Sequence, residues 1–102
     1  MTTDSQIIEK KKTTTRLPKE PGKYKVIVLN DDKTPVDFVV AMFIQVFKHS
    51  QTNALDLTVK IHNEGSAVAG IYTHEIAEQK ITDATNLARG HGFPLVLKAE
   101  AE

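Results

Sequence analysis

Tyr24-Lys25-Val26-Ile27-Val28-Leu29-Asn30-Asp31-Asp32-Lys33-Thr34-Pro35 is the stretch on which the fold turns. Its first half is short, β-branched and apolar, as a strand requires, and Asn30, Asp31 and Asp32 stop it with turn-forming side chains. Its second half opens a helix. Thr34 is expected as N-cap, Pro35 stands at the first helical position, and Asp37 completes a Thr-x-x-Asp variant of the capping box. Behind it Val36, Val39, Val40, Phe43 and Phe47 recur at helical spacing, with Met42 and Val46 widening the stripe. A helix so rich in valine has middling intrinsic propensity and has to be held by packing.

Beyond this stretch a second helix is expected from a Ser50 cap to about Asn63, with Ala54, Leu55, Leu57, Thr58 and Ile61 inward and Gly65 supplying a left-handed terminus. Ser66 to Tyr72 reads as a strand. Thr73 then caps a third helix, whose Ile76, Ala77, Ile81, Ala84, Leu87 and Ala88 face inward and which Gly90 and Gly92 end. Pro94 opens a last strand, Leu95 to Lys98, and residues 99–102 are expected to fray. The order β-α-α-β-α-β predicts an α+β fold: a single small domain over residues 23–98, with a three-stranded antiparallel sheet packed against three helices. Residues 1–22 read as a flexible, disordered N-terminal extension, because Lys10 to Arg16 has no apolar period and Pro18, Pro21 and Gly22 come after it.

Composition narrows the function. The 102 residues allow one domain and one modest core, 40% of them hydrophobic and 25% charged. There is no Cys, hence no thiolate nucleophile and no cysteine-ligated zinc. Net charge is zero, yet residues 1–23 carry six basic groups against three acidic ones, which leaves the body of the domain at −3. That sign disfavours nucleic acid, which needs clustered cations. The basic run at 10–16 could meet an acidic partner or nucleic acid, although a solvated tail is the plainer reading. No apolar run approaches the ~20 residues that span a bilayer, and the first residues lack a signal-peptide core, so no membrane contact and a cytoplasmic location are expected.

Few motifs of catalysis are present. His49, His62, His74 and His91 show no metal-binding helical spacing, and no nucleophile elbow or phosphate-binding glycine loop occurs. Neither a metal nor any other cofactor is called for, and an enzyme is not expected. The informative cluster is Asn30-Asp31-Asp32 at the strand-to-helix junction. It makes a good turn through its own side chains, and two carboxylates beside an amide oxygen also suit a cation, either a metal or an ammonium. His62 stands next to Ile61 near the end of the second helix, and the spacing Thr58, Ile61, His62 puts all three on one side of it.

The block from Tyr24 to Pro35 with Phe38-Val39 and His62, together with Gly70-Ile71-Tyr72-Thr73-His74-Glu75-Ile76-Ala77-Glu78-Gln79-Lys80 and His91-Gly92-Phe93-Pro94-Leu95, closely resembles the ClpS adaptor family over residues 23–98. The resemblance implies an adaptor that delivers N-degron proteins, those with destabilising N-terminal residues (Phe, Leu, Tyr, Trp), to a Clp AAA+ unfoldase and its protease. It implies that Asn30, Asp31 and His62 receive the substrate's α-amino group, with Asp32 supporting the loop. Thr34, Val36, Val39, Thr58, Ile61 and Leu95 would line the pocket for the first side chain. Glu75 and Lys80 would contact the unfoldase's N-terminal domain, and the N-terminal extension would take part in hand-off. Val36 stands where the family commonly has Met, and Thr58 where it usually has a larger apolar residue. The other reading the residues leave open is a protein-docking module of the same fold without amine recognition.

Overall fold

A computed structural model describes residues 22–102. The expected N-terminal extension lies, apart from Gly22, outside the described residues. The described elements run β1 (Lys23–Leu29), α1 (Val36–Gln45), α2 (Gln51–Glu64), β2 (Ser66–Thr73), α3 (His74–Gly90) and β3 (Leu97–Ala101). The strands form one antiparallel sheet in the order β2-β1-β3, as the α+β reading expects.

Strand β1 is central and sets the core. Val26 and Val28 are fully buried beneath the helices, and Met42, Phe43, Phe47, Ala54, Ile61, Ala77, Ala84, Ala88, Leu95 and Leu97 close around them. The small alanines of α3 let that helix lie close to the sheet. Between β1 and β2 the register jumps from Val26 opposite Gly70 to Ile27 opposite Val68, leaving Ala69 as an extra, bulged residue. His49 takes up the carbonyl so freed, its Nε2 lying 2.6 Å from the Ala69 oxygen. A carbonyl only accepts, so that nitrogen carries the proton. Beside the bulge the Tyr72 ring folds over Gly70, where a Cβ would collide with it.

Helix α2 starts and stops as its sequence dictates. The Ser50 hydroxyl accepts from the Asn53 amide at 3.1 Å, and Gly65 ends the helix at φ 92°. The start of α1 differs from expectation. Pro35 occupies the cap position at φ −65°, and Thr34 makes no cap bond; its hydroxyl instead donates to Asp31. The far end of α1 holds a second surprise. Lys48 adopts φ 62°, which turns the His49 amide back onto the Phe43 carbonyl at 3.1 Å, a helix-ending turn usually made by glycine.

The last strand is displaced from its expected place. Leu95 and Val96 precede it, and residues 99–101, expected to fray, pair with Lys25 and its neighbours. The Glu102 amide still donates to the Lys23 carbonyl, so the partner strand's full length holds this end in register. Three apolar side chains expected inside are half exposed or more, Val36 at 58%, Leu55 at 46% and Ile76 at 46%, because each lies at the margin of its helix's buried stripe.

Candidate functional site

A recess of about 270 Å³ opens where β1 ends, lined by Leu29, Asn30, Asp31, Asp32, Thr34, Val36, Val39, Thr58, Ile61, His62 and Leu95. Three backbone bonds explain why these residues meet. The Leu29 amide donates to Val96 at 3.0 Å, drawing the segment that carries Leu95 against the strand. The Asn30 amide donates to Gly65 at 2.9 Å, fixing the strand's end to the end of α2, one turn beyond Ile61 and His62. The Val39 amide donates to Pro35 at 3.2 Å and starts α1 on the opposite side.

The turn itself is built on Asp31. One carboxylate oxygen accepts the amides of Lys33 at 2.7 Å and Thr34 at 2.9 Å, and the other accepts the Thr34 hydroxyl at 2.5 Å. Partial burial pushes the Asp31 pKa up, but the Thr34 hydroxyl, the two amides and the nearby positive charge of Arg89 outweigh it and hold the carboxyl below its ordinary value. Asp31 is therefore ionised near neutral pH. Asp32 is exposed and makes no hydrogen bond or ion pair with another described residue.

The recess is thus two surfaces in one. Its rim carries an amide, two carboxylates and an imidazole. Its wall is apolar: Leu95 and Ile61 are buried, Val39 lies beside them, and Val36 stands at the mouth 58% exposed. Thr58 is buried in the wall, and its hydroxyl donates to the Ala54 carbonyl at 2.7 Å, so α2 satisfies that polar group itself. A cation with an apolar appendage matches both surfaces, the ammonium presenting donors to the rim and the appendage leaving water for the wall.

All ten residues expected in the amine and side-chain sites border this one recess. Leu29 joins them, and sequence reasoning passed over it as an ordinary strand residue; its position next to Asn30 was the available signal. Glu75 and Lys80 do not line the recess. Glu75 is exposed in the first turn of α3. Lys80 donates to the Val46 carbonyl at 2.9 Å and stands 5.9 Å from the centre of the Tyr72 ring, whose phenol pKa burial raises. The other histidines serve elsewhere: His49 at the bulge, His74 against Tyr24 and Glu78, and His91 stacked on Phe93.

Comparison with known proteins bears on this arrangement. The family model described as "ATP-dependent Clp protease adaptor protein ClpS" matches residues 19–98. An ATP-dependent Clp protease adapter protein ClpS of Helicobacter hepaticus is 46% identical over 79 residues, 78% of this chain and 80% of that one. Its counterpart in Treponema denticola is 47% identical over 81 residues, covering 79% of this chain and 80% of the relative. Among solved structures, Agrobacterium tumefaciens ClpS2 bound to L-phenylalaninamide superposes with a TM-score of 0.79 at 40% identity, over 81% of this chain and all of that one.

Proposed function

The chain belongs to the ClpS family of Clp protease adaptors, and we propose that it works by holding the first residue of a substrate protein, α-ammonium at the rim and side chain in the wall. One observation carries this reading: a single recess joins Asn30, Asp31, Asp32 and His62 to Val36, Val39, Thr58, Ile61 and Leu95. The ligand of the Agrobacterium relative, L-phenylalaninamide, has the matching chemistry of a free amine beside a benzyl group.

The ammonium offers three donors. Asn30 supplies an amide oxygen and His62 a ring nitrogen. Asp31 has three of its roughly four acceptor positions engaged within the turn, leaving about one for a ligand. The neighbouring Asp32 has more to offer, so the negative charge facing the ammonium comes from both aspartates. Each charge-assisted bond contributes roughly 1.5–3 kcal/mol, and burying a Leu or Phe side chain about 1.5–3 kcal/mol more. After ordering costs, affinity falls in roughly the micromolar range. Such binding selects proteins beginning with Phe, Leu, Tyr or Trp and also releases them.

Delivery requires a second contact. Glu75 and Lys80, on the first turns of α3 and outside the recess, are the residues proposed to meet the N-terminal domain of a Clp AAA+ unfoldase, leaving the recess open to substrate. On this reading the protein is a non-enzymatic adaptor acting in the cytoplasm, with neither nucleic acid nor membrane as partner. Calorimetry with a Phe-initiated peptide, free and N-acetylated, tests the core of it. Acetylation removes the charge and most donors, and two unmatched bonds predict a loss of roughly a hundredfold. Equal affinities would leave a docking module without amine recognition.

A further inference from the structure

We propose that Arg89 is a positioning residue for the first side chain of the substrate, holding Leu95 in the recess by clamping the two carbonyls that flank Pro94. The inference rests on the reading of the recess given above and adds a residue that does not line it. Nη1 of Arg89 donates to the Phe93 carbonyl at 2.7 Å and to the Leu95 carbonyl at 3.0 Å, so one nitrogen bridges both ends of the Phe93-Pro94-Leu95 segment.

The need for such a clamp arises from the backbone. Up to Phe93 the chain is tied to the end of α3: the His91 and Phe93 amides both donate to Ala88, and the Gly92 amide to Arg89. From Val96 onward it is tied to the sheet, where the Val96 carbonyl accepts from Leu29. Pro94 lies between these anchors and has no amide hydrogen to give. Among the described residues, the Phe93 and Leu95 carbonyls have no other hydrogen-bond partner. Leu95 is only 2% exposed, and its side chain is part of the recess wall. Its position is therefore set by its own packing and by the guanidinium.

Two further contacts join this clamp to the opposite bank. Phe93 and His91 both pack on Phe38 of α1, at ring separations of 5.0 and 5.5 Å, close to Val36 and Val39. The charge of Arg89 also reaches Asp31 in the turn. A lysine would carry the charge without the guanidinium's length or plane, so it reproduces the clamp only in part.

The test compares wild type, Arg89→Lys and Arg89→Gln by calorimetry with a Phe-initiated peptide, and by NMR of the Leu95 methyls and the Asn30 side-chain amide with and without that peptide. Arg89→Gln is expected to weaken binding about tenfold and to abolish the ligand-induced shift of the Leu95 methyls, while the Asn30 amide still responds at saturating peptide. Arg89→Lys should fall between. Affinity within twofold of wild type in Arg89→Gln overturns the proposal, as does an unchanged Leu95 response beside a lowered melting temperature, which marks a purely structural role. Failure of the underlying reading has a different signature: wild type itself binds free and acetylated peptide alike, whatever residue stands at 89.

Discussion

The Asn30 amide donates to the Gly65 carbonyl at 2.9 Å, and this bond sets the spacing between the two sides of the polar rim. Asn30 leaves the central strand there, and His62 lies in the last turn of α2, which Gly65 closes. The donor and acceptor are both backbone, so the rim is held by the fold before any ligand arrives.

Replacing Gly65 with Ala tests that coupling. The position has φ 92°, and an added Cβ meets nothing within 4 Å, so the penalty is conformational, about 1–2 kcal/mol. Urea titration should show that loss, and peptide affinity should fall with it. Reduced stability with untouched affinity would mean that the rim tolerates a shifted helix end.

On the proposed reading, Asn30→Ala and His62→Ala each remove one acceptor from the ammonium. Each should weaken binding of a Phe-initiated peptide by about 1.5–3 kcal/mol, roughly ten- to a hundredfold. Both residues are exposed, so melting temperatures should stay close to wild type.

The pH response has two separable parts. The pKa of Asp31 is lowered in the fold, so its contribution to stability is complete above the ordinary value of 3.8 and is lost as pH falls through the depressed value. Urea midpoints of wild type and Asp31→Asn should therefore differ at pH 7 and 5 and converge on further acidification. Binding obeys a different group. It should decline above about pH 7.7–8.0, as the ligand's α-amine loses its proton. A calorimetric profile that stays flat from about pH 7 to 9 contradicts this.

Lys48→Gly should stabilise the protein. A left-handed lysine costs about 1–2 kcal/mol, and the extra freedom of glycine in the unfolded chain returns part of the gain. The expected net effect is on the order of 0.5–1 kcal/mol in a denaturant titration, with peptide affinity unchanged.

Most of the architecture was legible because local signals agreed with one another. The β-branched run at 24–29, the Ser50 cap and Gly65 each mark a boundary by chemistry that operates within a few residues. The misreadings share a cause in distant contacts. Thr34 has the right side chain for a cap, yet Asp31 claims its hydroxyl. The last strand begins two residues late because Leu95 is drawn into the recess, and pairing with β1 then carries the strand on to Ala101. The recess could be named from family resemblance and helical spacing, whereas Arg89 could not. A basic residue near a helix end reads as ordinary dipole compensation until the carbonyls beyond it are located.

Lys80 shows what the resting surface asks of any visitor. Its ammonium already closes off the open end of α1 through Val46 and lies near the Tyr72 ring. An acidic group that captures it from outside must draw it away from that carbonyl, which then turns to water. The exchange substitutes one acceptor for another, so its yield is a difference between two similar quantities. On the proposed docking role of Lys80, a contact of that kind is weak, which suits a courier that has to leave again.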